Sequence, residues 1–438
     1  MTSPKSGYKL VKSFFGKYEE IPEEWEIQKL SNLCEKEKDI VAGPFGSNLM
    51  VSDYASNGVP ILRLQNIDRN KFIEKNIKFI SSEKAKELSY HSYEPNDLIL
   101  AKLGDPIGKT CRIPKHFPSG IVVADVVRIR TSPKKSDSDF VEYVLNSWIC
   151  TKQFDMERIG TTRPRVNLEQ IRNLIFPCPP KHEQQKIASI LSNVDNLINS
   201  YDGIIQTTKK LKKGLMQQLL TKGIGHKKFK KVNWLFGKEI EIPENWEINS
   251  LDKISKKILD GEHISPEFTI NGIPYLSSRH IKSKILFHNC KYVSNETFSK
   301  IIQRIHPEYD DILITVKGTI GFCKRLDIRE KFCMDRNVGL IKPLKKIINS
   351  IFLEQMMKST IVQKQILGLL DNNVIPSLYL NRIRKIKIFV PSIIEQQKIA
   401  TISSTVDFKI LDLELKKTRL EKLKKGLMQK LLTGQIRV

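Results

Sequence analysis

Nowhere does the chain approach the run of roughly 20 apolar residues that a membrane-spanning helix needs. Its longest apolar stretches are of the kind Ile121-Val122-Val123-Ala124. The leading segment MTSPKSGYKLVKSFF lacks the apolar stretch of a signal peptide, so no membrane partner is expected and the cytoplasm is the expected compartment. The cysteines Cys34, Cys111, Cys150, Cys178, Cys290, Cys323 and Cys333 are scattered, and no two have C-x-x-C spacing. A zinc or dithiol site is therefore not expected, and these thiols read as reduced core residues. The 8 histidines form no ligand set either. Acidic residues are in short supply: 48 Asp and Glu face 73 Lys and Arg, a net charge of +25. Such an excess favours a polyanionic partner through counterion release, with nucleic acid ahead of an anionic surface.

Signatures of catalysis are also missing. Methyl transfer to a base amine calls for an N/D-P-P-F/Y-like motif and a glycine-rich cofactor loop, and Pro179-Pro180 sits instead in CPPK. No arrangement of clustered carboxylates with a nearby lysine suggests metal-assisted hydrolysis. Gly104-Asp105-Pro106-Ile107-Gly108-Lys109-Thr110 resembles a P-loop but is one residue short, and Pro114 follows where a helix should begin. It reads better as a turn after a strand, from which Lys102 can reach a phosphate or a base edge. No catalytic residue, metal or cofactor is expected.

What the chain does contain is a repeat. FGKYEEIPEEWEIQKL (Phe15 to Leu30) recurs as FGKEIEIPENWEINSL (Phe236 to Leu251), with 11 of 16 positions identical. Glu183–Thr221 and Glu395–Thr433 match without a gap at 22 of 39 positions. The segments between diverge, although Gly58-Val59-Pro60-Ile61-Leu62 still resembles Gly272-Ile273-Pro274-Tyr275-Leu276, and Asp97-Leu98-Ile99-Leu100 resembles Asp311-Ile312-Leu313-Ile314. Short β-rich runs such as VPILRLQNI, DLILAKLG and GIVVADVVRIR, punctuated by Gly, Pro and Asn, predict an α+β domain in each half.

Glu183–Thr221 has no proline and places Ile187, Val194, Tyr201, Thr208 and Leu215 seven apart, with Ile190, Leu197, Ile204 and Leu211 as a second row. This predicts a heptad seam along a helix of about 58 Å. The second copy keeps Ile399, Val406, Leu413, Leu420 and Leu427, while Lys409 and Lys416 interrupt its other row. Proline clusters before each helix and Gly223-Ile224-Gly225 after the first mark the boundaries. The expected division is 1–182, an N-terminal segment and first domain; 183–221, first helix; 222–394, linker and second domain; 395–438, second helix and tail. By connectivity the helices pair antiparallel, giving two similar domains separated by them with a pseudo-two-fold relation. Seven extra residues in the helical pair should then add about 10 Å between the two domains.

I-P-x-x-W-x-I near each domain start, Gly43-Pro44-Phe45-Gly46-Ser47-Asn48, Leu64-Gln65-Asn66-Ile67, Ala101-Lys102-Leu103-Gly104-Asp105 and EQQKI opening each helix together resemble the specificity subunits of type I restriction-modification enzymes. The resemblance covers nearly the whole chain and implies two target-recognition domains without a catalytic site. It also implies helices that seat two methyltransferase subunits, and a restriction subunit joining that core. The second half departs from the pattern: Leu259-Asp260-Gly261-Glu262-His263 stands for the GPFGSN loop, and Val316-Lys317-Gly318-Thr319 for AKLGD.

The partner is thus expected to be double-stranded DNA with a split site. Arg63, Gln65 and Asn66 carry side chains suited to bidentate contacts with guanine or adenine. Arg279 and His280 stand at the equivalent place. Thr162, Arg163 and Arg165, in the turn running from Gly160 and Thr161 to Asn167, suit phosphate positioning with some base readout. Ser47, Asn48, Lys102, Lys317, Arg336 and Asn337 complete the DNA-contact set, with solvated surface as the competing reading. For contacts between the helices or with a partner the candidates are Ile187, Val194, Leu211, Leu215, Met216, Ile399, Val406, Leu420, Leu427 and Met428. Gly214 and Gly426, each inside a KKGLMQ helix segment, should cost about 1 kcal/mol against alanine unless close packing requires them. Two other classes remain open, an autonomous DNA-modifying enzyme and a coiled-coil scaffold that binds nucleic acid without sequence preference.

Overall fold

In the computed structural model, residues 4–438 are described apart from 13, 17, 161, 235–238, 283 and 372–375. Thr161 and the positions 17 and 236–238 of the repeated leading segment lie outside the described residues. The chain divides into two compact units, Met1–Tyr201 with Lys416–Val438, and Asp202–Leu415. This differs from a division that sets the helices apart as spacers: each unit takes in one end of both. Burial explains the difference. Ile187, Ala188, Leu191, Leu431 and Leu432 belong to the core of the first unit, and Met216, Leu219, Leu220 and Ile399 to that of the second.

In the first unit the strand Leu98–Ala101 lies between Thr110–Arg112 and Val126–Ile129, and Val126–Ile129 pairs onward with Ile40–Ala42, all antiparallel. Successive side chains of a strand point to opposite faces. Leu98 and Leu100 accordingly enter one core while Ile99 and Ala101 enter another. A second sheet is built around Val59–Leu62, parallel to Gly120–Val122 and antiparallel to Lys78–Ile80. The P-loop-like segment is the hairpin connection between Leu98–Ala101 and Thr110–Arg112.

The second unit repeats this plan. Ile312–Thr315 lies between Cys323–Arg325 and Val338–Pro343, the last of which pairs with Ser255–Asp260. Ile273–Leu276 runs parallel to Cys333–Met334. Each unit also joins its leading strand to the strand that feeds its helix, Glu26–Lys29 with Ile175–Cys178 and Glu247–Ser250 with Lys387–Val390. The resulting class is α+β with an internal repeat.

The two repeated sequence motifs meet in each unit. Trp25, fully buried, donates its indole N–H to Glu183 Oε2 at 2.9 Å, and Arg437 Nε donates to the other carboxylate oxygen at 2.7 Å. Trp246 donates to Glu395 Oε2 at 3.0 Å, and there the second oxygen takes His226 Nε2 at 2.8 Å and the Ile224 backbone N–H at 2.9 Å. A buried carboxylate costs several kcal/mol unless its lone pairs are filled, and both are filled. Glycines at positive φ end both helices and let the chain turn back to make these contacts, Gly223 at 66° and Gly434 at 73°.

The long helices span Lys181–Lys222 and Ile393–Leu431. Within each unit their segments run antiparallel: Asp195 pairs with Lys424 at 2.7 Å in the first, and Lys209 with Glu414 and Lys212 with Asp407, both at 2.6 Å, in the second. The row Ile187, Val194, Tyr201, Thr208 and Leu215 faces inward as buried or half-buried side chains. Its companion row is not the expected Ile190, Leu197, Ile204 and Leu211 but Leu191, Ile198, Ile205, Lys212 and Leu219, one position further along. Rows at +3 and +4 flank the first row equally, and the sequence favours the more apolar of them. Leu197, Ile204 and Leu211 instead stand 51%, 47% and 65% exposed. Leu211 therefore makes no helix-pair seam within the chain.

Candidate nucleic-acid interface

Lys102 follows the buried strand Leu98–Ala101 and is held by backbone on both sides. Its N–H donates to the Asp125 carbonyl and its carbonyl accepts from Val166 N–H, each at 3.0 Å. Arg165 and Ile159 exchange backbone hydrogen bonds at 2.9 and 3.0 Å, and Gly104 N–H reaches Pro164 O at 3.2 Å. Three stretches that are distant in sequence, 102–104, residue 125, and 159 with 164–166, are thereby stitched together. The Lys102 side chain is half-buried, and burial pulls its ammonium below the ordinary lysine range; Arg165 pushes in the same direction and Asp125 opposes both. Among the described residues no side-chain hydrogen bond or ion pair engages Lys102, Asp125, Arg163 or Arg165. Thr162 and Arg163 are exposed beside them.

Gly43 anchors the next segment. A Cβ on it would lie 2.1 Å from the Val123 carbonyl carbon, so only glycine lets the GPFGSN loop approach the 123–125 turn. Ser47 and Asn48 are exposed on that loop, and Phe45 stands 83% exposed. Arg63 Nη2 and Gln65 Nε2 both donate to the Asn76 carbonyl, at 2.8 and 3.2 Å, with Gln65 itself exposed. Asn66 differs from its neighbours. It is fully buried; its amide oxygen accepts the Arg63 N–H at 3.0 Å, and its amide donates to Ile73 O and Lys75 O at 2.9 and 3.1 Å. Both amide hydrogens are engaged within the turn and the side chain is buried, so it presents no donor to a base edge.

The second unit reproduces the frame with other side chains. Val316 N–H donates to Asn337 O at 2.9 Å and its carbonyl accepts from Leu378 N–H at 3.0 Å, while Lys317 bridges Ser377. Val316, Asn337 and Ser377 thus stand where Lys102, Asp125 and Arg165 stand in the first unit. Gly261, whose Cβ would lie 2.0 Å from the Asp335 carbonyl oxygen, replaces Gly43 beneath the turn. Arg336 is exposed on that turn, and the Asn337 amide donates to Asp335 at 2.9 Å. Arg279 is exposed, whereas His280 is buried and accepts the Ser277 N–H at Nδ1, 2.9 Å, in the role that Asn66 plays. Burial holds the His280 imidazole below its usual range.

Sequence reasoning singled out Arg336 and Asn337 but missed Asp125, the counterpart of Asn337; the pairing of strand ends that equates them leaves no motif. It also assigned no role to Trp25, Trp246, Glu183 and Glu395, although all four sit in the repeated motifs. Among the described residues no group of His, Cys, Asp and Glu could hold a metal ion, and no helix is long and apolar enough to cross a membrane. The cysteines are free, and burial raises the thiol pKa of each, to about 12 for Cys34, Cys178, Cys323 and Cys333.

Two similar mixed domains, each ending three loops on one polar frame and each tied to two long helices, define a class of duplicated recognition protein. The model of the type I restriction modification DNA specificity domain matches residues 22–210 and again 243–425, and the chain belongs to that family. Its role is DNA specificity in a type I restriction-modification system, not catalysis. It is 28% identical over 426 residues to the type I restriction enzyme MjaVIII specificity subunit of Methanocaldococcus jannaschii, covering 95% of this chain and 94% of that one. To the EcoBI specificity subunit of Escherichia coli it is 24% identical over 359 residues, 78% of this chain and 72% of the other. Among solved structures it is similar to the type I restriction-modification S subunit from M. genitalium, with a TM-score of 0.54, 16% identity, and coverage of 93% and 96%. A chain from a structural study of complex assembly and conformational transition in a type I system gives a TM-score of 0.56 at 15% identity, covering 95% of this chain and 99% of that one.

Proposed function

We propose that the chain reads a bipartite duplex DNA target, one half-site per domain, and seats methyltransferase and restriction subunits around it in the cytoplasm. The observation that carries this reading is the duplicated three-loop frame with different side chains: one architecture reads two different sequences. Lys102, Thr162, Arg163, Arg165, Ser47, Asn48, Arg63 and Gln65 serve the first half-site. Arg279, Lys317, Arg336 and Asn337 serve the second, while Asn66 and His280 hold their loops in shape. The exposed apolar row Leu197, Ile204 and Leu211, and on the second helix Phe408, Leu411 and Leu415 at 73%, 41% and 52% exposure, suit partner helices. With one such row on each helix, two methyltransferase subunits are the natural number.

Co-purification with the cognate methyltransferase subunit, followed by mapping of methylated adenines in DNA exposed to the complex, tests the reading. A split motif with a fixed gap that disappears when this chain is omitted is the expected result. Methylation that persists without the chain, or shows no motif, would sink it.

A further inference from the structure

In each unit one segment carries the two most exposed large apolar side chains among the described residues. In the first it runs from Gly43 to Gly58 and holds Phe45 at 83% and Val51 at 79% exposure; in the second it runs from Gly261 to Gly272 and holds Ile264 at 79% and Ile270 at 91%. Single exposed apolar residues are ordinary on a protein surface, but a maximum that recurs at the same place in two diverged copies is not. Backbone sets the place. Gly43 N–H donates to Val126 O at 3.0 Å and Val123 N–H to Leu62 O at 3.1 Å, while Gly261 N–H donates to Val338 O and Asp335 N–H to Leu276 O, both at 2.9 Å. Each segment therefore leaves from the turn whose carbonyl, Asp125 O or Asn337 O, also receives the Lys102 or Val316 N–H. Phe45 and Ile264, two and three residues beyond the anchoring glycine, are the pair nearest that turn along the chain.

The letters of the two segments favour DNA over a protein subunit as what covers them. A surface that meets the same subunit twice has reason to keep its residues, as KKGLMQ does in both helices. GPFGSNLMV and GEHISPEFT agree only at the glycine and one serine, yet each keeps a large apolar side chain at least 79% exposed. Changed letters with unchanged apolar character suit two half-sites of different sequence. Beside its hydrogen-bonding groups, the major groove presents one apolar group at the base edges, the thymine C5 methyl, and Phe is among the side chains that meet it. We propose that Phe45 in the first domain and Ile264 in the second each pack against a thymine methyl of their own half-site.

The inference rests on the reading of the chain as a bipartite DNA reader, and the test separates the two. The complex of this chain with its methyltransferase subunit is presented with a randomised duplex library, and the methylated sequences are determined for the natural chain, F45S, F45L and I264S at fixed salt. F45S is expected to relax one A·T position of the first half-site by about four-fold, the worth of one buried methyl group, and I264S one A·T position of the second, with every other position unchanged. F45L keeps an apolar contact and should retain the preference. Each thymine of the mapped motif is then replaced in turn by deoxyuridine, which removes the methyl and nothing else. At the position that F45S relaxes, the replacement should cost the natural chain the same factor and F45S nothing further. This arm uses the natural chain, so it stands even where a variant fails to fold. An equal loss of methylation over all sequences, relaxation at a G·C position, or indifference of the natural chain to every deoxyuridine would overturn the proposal. So would an unchanged motif in both serine variants, or release of the methyltransferase subunit by either in gel filtration, which would make the segments a protein contact. If the natural chain imposes no motif at all, the bipartite reading itself fails, which is a different outcome from an unchanged motif.

Discussion

At the scale of single residues, neighbouring side chains in one motif divide into exposed and buried ones. Asn66 is sealed inside its turn with its amide oxygen and both amide hydrogens engaged, whereas Gln65 beside it is exposed. N66A is expected to lower the stability of the chain by roughly 1–3 kcal/mol, because three backbone groups lose their partner. Q65A should leave stability unchanged and weaken DNA binding only, a split that denaturant titration and a DNA-binding isotherm on the same samples will resolve. Glu142 offers a second case. Burial, reinforced by Asp139 and opposed by Arg112, lifts its carboxyl from 4.5 to about 7. A carboxyl whose pKa is raised on folding favours the protonated form in the fold. Its contribution is therefore intact below pH 4.5, is lost as pH rises from 4.5 to about 7, and stays lost above that. E142Q should match the natural chain at pH 4 and exceed it at pH 8 by about 1–3 kcal/mol, provided the amide keeps the hydrogen bond to Asn70. Equal stability at both pH values would rule this out. Asn66 entered the sequence analysis as a base reader because residue type advertises hydrogen-bonding capacity and says nothing of where that capacity is spent.

At the scale of elements, the long helices were legible as elements but not as surfaces. The proline-free, heptad-spaced segments announced their length, yet the choice between two flanking rows depends on which neighbour covers them, and composition points to the uncovered one. Gly214 and Gly426 make the same point. Close packing, against the other helix or a partner, was the one reason the sequence offered for a glycine in mid-helix, and within the chain a Cβ at either position meets nothing within 4 Å. The alanine variants of the isolated chain should therefore be more stable by about 0.5–1 kcal/mol. If a partner helix approaches at these points, as the exposed apolar rows suggest, G214L and G426L should release the methyltransferase subunit while leaving the melting temperature of the isolated chain unharmed. Gel filtration of the mixed proteins measures the first and a thermal melt the second. The strands were read more completely, since Leu98–Ala101 and Ile312–Thr315 are central strands whose every side chain is buried and whose sequences are nearly unbroken apolar runs.

At the scale of the whole molecule, the excess of 73 basic over 48 acidic residues sets the salt response. Each phosphate neutralised contributes a slope of about −0.9 to the logarithm of affinity against the logarithm of salt. Binding to duplex DNA should thus fall about 10³-fold or more between 50 and 200 mM salt if six or more phosphates are engaged. A shallow dependence would mean that the net charge of +25 lies mostly away from the DNA. The repeat itself was plain in the sequence because its two copies share more than half of the positions at their ends. The recognition frame was not, because Asp125 and Asn337 correspond through strand pairing rather than through any shared letters.

The contact between Arg437 and Glu183, 254 residues apart, has a consequence for synthesis. A ribosome adds about 5–20 residues per second, so the first unit waits on the order of tens of seconds for its last piece. Throughout that interval Trp25 and Glu183 are already made, and the half of their enclosure supplied by Leu431, Leu432 and Arg437 is not. Completion of the first unit is thereby tied to synthesis of the second.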